Sequence, residues 1–356
     1  MDEEDNNTNA VDMSKWIDLD EAERRVILQT VSDAKGIEPE SVEKDWWVSM
    51  VLKAVFKMSI AKYAFFKGGT SLSKGWNLIN RFSEDIDIAL YRDFFLKERG
   101  LLCARCESNN QVKMLRKASR DYIHGAIRLE LEEILREMKL DAHVEPVTTY
   151  MTAEGEKPID HDADPTVLLV YYPSLFPREH PYVKPMVKLE ISCLSMREPY
   201  EVRRIASLIS EYFNVEDDES VSNIATISPS RTFLEKAFLL CEEYQRRNPR
   251  TLRMSRHLYD LDRLMDTEYG REAIQDSKLY HDIVKHRQKF YHVGGVNYEL
   301  DKADQIVFCP TGAVRELLRA DYENMKSNFI YGEAPNFDKL MCRIEELQER
   351  FHSIRE

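Results

Sequence analysis

The chain lacks any apolar run of about eighteen residues, which excludes a membrane-spanning helix. Its first residues, MDEEDNNTNAVD, lack the basic and apolar regions of a secretory signal. Cytoplasmic residence with no membrane partner is therefore expected. Cysteine is sparse and scattered: Cys103, Cys106, Cys193, Cys241, Cys309 and Cys342 form no disulfide framework for 356 residues. Cys103 and Cys106 make one CxxC, and without a second such pair a zinc site lacks half of its ligands. Net positive charge is also missing. Fifty Lys and Arg against 63 Asp and Glu give −13, which weighs against nonspecific binding to a phosphate backbone. A local basic site is not excluded, because fields act locally.

What is present can build real cores: 43% of residues are hydrophobic, and 356 residues exceed one ordinary core. Residues 1–17 read as a disordered acidic tail. Helices are predicted near 19–35 and 39–58, the second with Pro39 in a favoured first-turn position. A short strand at 63–66 meets Gly68-Gly69, a helix starts at Thr70, and 85–90 alternates as a strand. A helix over 110–139 precedes strands at 141–147, 166–172 and 185–192, with 152–165 a polar loop. From 200 onward the pattern is helical: 200–213, 229–246, 254–266, 270–290, 311–326 and 336–354. Strands mixed with helices, then helices alone, predict an α+β domain over 18–200 and a helical C-terminal domain over 201–356.

The strongest chemical signal is Phe66-Lys-Gly-Gly-Thr-Ser-Leu-Ser-Lys74 followed by Arg81-Phe-Ser-Glu-Asp-Ile-Asp-Ile88. Glycines at the end of a strand let backbone approach a phosphate and present N–H groups at a helix start. Thr70, Ser71 and Ser73 add hydroxyls and Lys74 adds a cation; Gly68, Gly69, Arg81 and Ser83 complete the expected nucleotide-binding set. Asp85 and Asp87, two apart on a strand, project from one face, while Ile86, Ile88 and Leu90 take the other. Paired carboxylates want a counter-charge, and oxygen ligands beside phosphates suit Mg²⁺, or Mn²⁺. Two such ions about 4 Å apart can clamp attacking and leaving oxygens in phosphoryl chemistry.

Glu190 is the third carboxylate. In Pro185-Met-Val-Lys-Leu-Glu-Ile-Ser192 the apolar Val187, Leu189 and Ile191 share one face and Lys188, Glu190 and Ser192 the other. On a strand beside Asp85 and Asp87, Glu190 would ligate a metal or act as a general base.

These residues match the nucleotidyltransferase superfamily typified by DNA polymerase beta: an apolar residue, Gly-Gly, a spacer, then Asp-apolar-Asp-apolar. The stretch from Gly68 to Asp87 more closely resembles the AbiEii/AbiGii toxin family, with its Gly-Gly-Thr-Ser-Leu-x-Lys and Arg-Phe-Ser-x-Asp-Ile-Asp. Ser230-Arg-Thr-Phe-Leu-Glu-Lys236 resembles that family's lysine-centred helical motif, and Arg256-His-Leu-Tyr-Asp-Leu261 its motif ending in an aspartate. The resemblance spans roughly 60–265. It implies a small mixed sheet with flanking helices and a helical C-terminal domain, with Lys236 on the triphosphate. Asp260 would serve as base or as anchor for a basic group. It also implies a toxin of a type IV toxin–antitoxin or phage-defence system, countered by an antitoxin that does not bind it tightly. The substrate it implies is the acceptor end of tRNA, by analogy alone.

Arg246, Arg247, Arg250, Arg253, Arg256 and His257 fall within twelve residues of an otherwise acidic chain. Guanidinium forks suit phosphates, so the cluster is expected to contact triphosphate or an RNA backbone. His161, with Asp160, Asp162 and Asp164, reads as a solvated loop cluster. The alternatives to nucleotide transfer onto RNA are transfer to a protein or a small molecule, or a non-catalytic interaction protein on the same scaffold.

Overall fold

The structure is a computed structural model describing residues 15–152, 154–176, 184–213, 219–291 and 293–354. The N-terminal tail assigned to 1–17 lies mostly outside these residues. Its last part does not: Trp16–Asp18 forms a 3₁₀ turn, and Trp16 is buried against Trp46, centroids 5.6 Å apart.

Nine strands form among the described residues: β1 Ala64–Lys67, β2 Ile86–Leu90, β3 His143–Pro146, β4 Thr149–Thr152, β5 Gly155–Pro158, β6 Thr166–Tyr171, β7 Met186–Ser192, β8 Tyr200–Ile205 and β9 Ser222–Ile227. Seven make one mixed sheet in the order β3-β6-β7-β2-β1-β9-β8, while β4 and β5 pair as a separate hairpin. β2 runs antiparallel to β1 and parallel to β7.

Among the described residues thirteen α-helices accompany it: α1 Glu21–Lys35, α2 Pro39–Val55, α3 Gly68–Lys74, α4 Asp93–Lys97, α5 Asn109–Tyr122, α6 Arg128–Glu137, α7 Leu208–Phe213, α8 Pro229–Tyr244, α9 Ser255–Leu264, α10 Glu268–Gln275, α11 Ser277–Phe290, α12 Gly312–Asn328 and α13 Phe337–His352. Local chemistry sets their ends. Asp20 caps α1 reciprocally with Glu23. Pro39 and Pro229 sit in first turns, where a missing N–H costs nothing. None of the helices among the described residues is long and apolar enough to cross a membrane.

Alternation divides the sheet. Phe66, Ile86, Ile88, Leu90, Leu189 and Ile191 bury in a core shared with α1, α2, α5 and α6. The opposite face carries Lys67, Asp87 and Glu190. A second core joins Leu72 of α3 and Ile79 to the helices from α8 onward. The helical C-terminal unit therefore packs against the glycine corner.

Several expected elements differ. Residues 200–213 are not one helix: 200–205 is the edge strand β8, paired with the unexpected β9, and only 208–213 is helical. The apolar spacing of Val202, Ile205 and Leu208 mimics a helix, yet Val202 is exposed on the edge strand. The helix over 110–139 is α5 and α6 joined by a π-helical turn at Ile123–Ile127. That over 270–290 divides at Asp276, which caps α11 through the N–H of Leu279. Part of the polar loop at 152–165 is β5.

Candidate active site

β1 ends at Lys67 and α3 begins at Gly68, so the two glycines form the corner between sheet and helix. Gly68 has φ 79°, and a Cβ there would lie 2.1 Å from Asp87 Oδ2. A Cβ on Gly69 would lie 2.5 Å from Arg81 Nη2. The glycines thus let Asp87 and Arg81 close onto the corner.

Register assembles the acidic wall. Lys67 pairs with Asp87 across β1 and β2, and Asp87 pairs with Glu190 across β2 and β7. Three side chains therefore stand in one row on the face away from the core. Asp85 precedes β2 and borders the same cavity of about 260 Å³, with its backbone carbonyl accepting from the Thr70 hydroxyl. The facing side is basic: Lys236 on α8, with Arg250, Arg256 and His257. Gly68, Gly69, Arg81, Ser83, Thr232, Glu235, Leu239 and Met254 complete the lining.

Behind the basic side lies Asp260, fully buried. Arg81 donates from Nε and Nη2 to its two oxygens at 2.7 and 2.8 Å, and Lys236 Nζ stands 2.8 Å from Oδ2. Burial alone would raise the Asp260 carboxyl, but Arg81 and Lys236 outweigh it and hold the group well below the carboxylate range. Burial also depresses the Lys236 ammonium, which Asp260 partly restores. His257 is held neutral by burial and by the charges of Lys236 and Arg256.

On the acidic side, burial and the neighbouring Glu190 push Asp87 up to about 7, although Lys67 opposes them. For Glu235 burial is overcome by Arg231 and Lys67, which bring it down to about 2. Glu190 pairs with Lys188 of its own strand.

The expected residues do not all converge. Asp85, Asp87, Glu190, Lys236, Gly68, Gly69, Arg81 and Ser83 border the cavity. Asp260 stands behind it. The Thr70 and Ser71 hydroxyls are spent internally, Thr70 on Asp85 and Ser83, Ser71 on the Gly68 carbonyl. Lys74 turns away to Asp45 at 2.5 Å and borders a different cavity. Of the arginine cluster, Arg250 and Arg256 reach the cavity. Arg250 is held by Glu243 at 2.7 Å, whereas Arg256 makes no ion pair among the described residues. Arg246 lies 3.6 Å from Glu243, Arg253 lies 3.6 Å from Glu84, and neither they nor Arg247 line it. His161 is exposed and meets Asp121 at 2.7 Å.

Lys67 and Glu235 were not singled out from the sequence. Lys67 is the residue before the glycines, and its place opposite Asp87 follows only from strand pairing. Glu235 precedes Lys236 in the helical motif.

No group of three or more His, Cys, Asp or Glu among the described residues stands ready-made for a metal ion. The donor set nevertheless fits a hard divalent cation. Asp85, Asp87 and Glu190 are oxygen donors on one wall of the cavity.

A family model described as the nucleotidyl transferase AbiEii toxin of type IV toxin–antitoxin systems matches residues 51–343. Among solved structures, the nucleotidyltransferase toxin MenT4 from Mycobacterium tuberculosis aligns at 15% identity and a TM-score of 0.40, covering 95% of this chain and 100% of that one. A comparison with curated proteins gives no match.

Proposed function

The chain belongs to the AbiEii nucleotidyl transferase toxin family of type IV toxin–antitoxin systems and is a nucleotidyltransferase; from that premise we propose that it moves a nucleoside monophosphate from a nucleoside triphosphate to a hydroxyl at the acceptor end of tRNA. It does so in the cytoplasm, as a toxin with a role in phage defence that a cognate antitoxin counters without binding it tightly. The observation that supports this best is the row Lys67–Asp87–Glu190 facing Lys236 and Arg256 across one cavity.

Asp85 and Asp87, with Glu190 beside them, would hold Mg²⁺ or Mn²⁺. When bound, the ion supplies charge neutralisation for the triphosphate and for departing pyrophosphate. The chain's own residues do the positioning. Asp260 fixes Arg81 and Lys236, so that Lys236 meets a phosphate in a preset geometry. Arg256 offers a second cation. Asp260 is fully engaged by Arg81 and Lys236, which favours Glu190 over it as the base that accepts the acceptor hydroxyl's proton if Asp85 and Asp87 alone hold the ion. The backbone of Gly68 and Gly69 admits the phosphates close to Asp87.

The test is incubation of the protein with each of four α-labelled nucleoside triphosphates and Mg²⁺ against total tRNA, total protein and small-molecule acceptors. Label in the tRNA fraction, lost when the divalent ion is chelated, is the expected outcome. Label confined to protein or small molecules, or no transfer at all, would overturn the proposal.

A further inference from the structure

A second cavity, about 500 Å³, adjoins the first, and Ser83 borders both. It lies where the N-terminal helices, α3, the 77–83 segment, α7 and the 331–332 segment meet. Ligand cavities for small molecules run from roughly 300 to 1,000 Å³. At about 260 Å³ the carboxylate cavity is below that range and holds phosphates and ions more readily than a whole nucleotide. A third cavity sharing Arg81 and Arg256 with it measures about 50 Å³, too small for a nucleoside.

The lining of the second cavity differs in kind. Its charges balance: Lys35 and Lys74 against Asp45 and Glu211, with Lys74 and Asp45 already paired. It offers the rings of Phe82 and Tyr331, an apolar floor at Ile79 and Leu208, and the side-chain amides of Asn77 and Asn80. Those two amides make no hydrogen bond among the described residues. Aromatic faces, apolar floor and unspent amides suit a neutral, flat group with hydrogen-bonding edges.

We propose that this cavity is a nucleobase subsite, taking the base and ribose of a nucleotide whose phosphate reaches the acidic wall past Ser83. The inference rests on the transferase chemistry proposed above for that wall. Nucleobase chemistry reaches the cavity from either of two sources, the nucleoside triphosphate or the last nucleotide of the acceptor strand. Asn77 and Asn80 read the base edge in both cases. Phe82 and Ser83 are consecutive, so a ligand stacked on Phe82 is tied to the segment carrying Arg81 and Asp85. That segment is further pinned by the Phe82 N–H to Phe329 carbonyl bond of 2.7 Å and the Tyr331 N–H to Asn80 carbonyl bond of 3.0 Å.

The experiment is equilibrium dialysis of the four nucleoside triphosphates, tripolyphosphate and total tRNA against the full chain and its Asn80→Ala and Asn77→Gly/Asn80→Ala variants. Melting temperature and tripolyphosphate binding report folding. We expect tripolyphosphate binding within twofold of wild type, while affinity for one ligand class falls about tenfold or more. Loss for nucleoside triphosphates assigns the subsite to the incoming nucleotide, and loss for tRNA assigns it to the acceptor. Unchanged affinity for both classes would overturn the inference. Should the double variant fail to fold, Asn80→Ala alone carries the test. Because dialysis reads binding, absence of transfer in the wild type would sink the proposed reaction and leave this result standing.

Discussion

Arg81, from the segment before β2, grips Asp260 of α9 with two parallel hydrogen bonds of 2.7 and 2.8 Å, across 179 residues of sequence. The contact ties the segment before β2 to α9, and the same carboxylate holds Lys236, which borders the cavity. Replacing Asp260 with Asn leaves two buried cations short of their counter-charge. Breaking such a buried cluster costs about 3–5 kcal/mol. We expect a large drop in melting temperature and near-complete loss of transfer. A variant with native stability would contradict the anchoring role. The sign with pH follows from the depressed carboxyl: its contribution is complete above the ordinary carboxylate range and disappears only in strong acid.

Gly68 is the corner's other essential element. In Gly68→Ala the new Cβ meets Asp87 Oδ2 and the backbone is held at φ 79°. Left-handed backbone costs an alanine about 1–2 kcal/mol, so the fold should survive while Asp87 is displaced. Transfer should fall at least about a hundredfold, since an ångström of misplacement has that effect. Kinetics alongside urea denaturation separate the two effects.

Arg256 borders the cavity and makes no ion pair among the described residues. Its loss in Arg256→Ala should weaken triphosphate binding by a factor of about 10–100, the worth of one hydrogen bond to a charged group. Stability should change little, because burial opposes its charge and Arg81 and Arg253 repel it. Tripolyphosphate affinity measured by calorimetry checks this, and an unchanged value would remove Arg256 from the site.

Asp301 offers a test independent of the site. It is fully buried, neither carboxyl oxygen has a hydrogen-bond partner among the described residues, and burial with Glu242 nearby pushes it up to about 7. The unfolded group ionises near 3.8. Below that pH it costs nothing; as pH rises to about 7 the unfolded state gains relative to the native one, and the full penalty applies above. Asp301→Asn should therefore stabilise the protein by about 2–4 kcal/mol at pH 8 and by little at pH 4. Denaturant unfolding at both pH values reads the difference.

The acidic wall was legible because alternation is local. Apolar Ile86 and Ile88 fix where Asp87 points, and Val187, Leu189 and Ile191 do the same for Glu190. Lys236 and Asp260 were reached only through the resemblance of their motifs to the family's. What local patterns do not carry is pairing at a distance. Lys67 gains its place from its register with Asp87, and Lys74 is drawn away by Asp45 on α2. The hydroxyls of Thr70 and Ser71, which read as phosphate donors, are consumed in tying the corner together. β8 does not stand out in the sequence, because an edge strand with Val202 exposed lacks the buried alternation that marks a strand.

Asp85 and Asp87 are expected to gather a divalent cation at the triphosphate. Electron paramagnetic resonance titration of Mn²⁺ in the presence of a non-hydrolysable nucleoside triphosphate measures this directly. The wild-type chain should bind the ion, and Asp87→Asn should bind it at least about a hundredfold more weakly with its melting temperature preserved. Equal affinity in the two proteins would contradict the account.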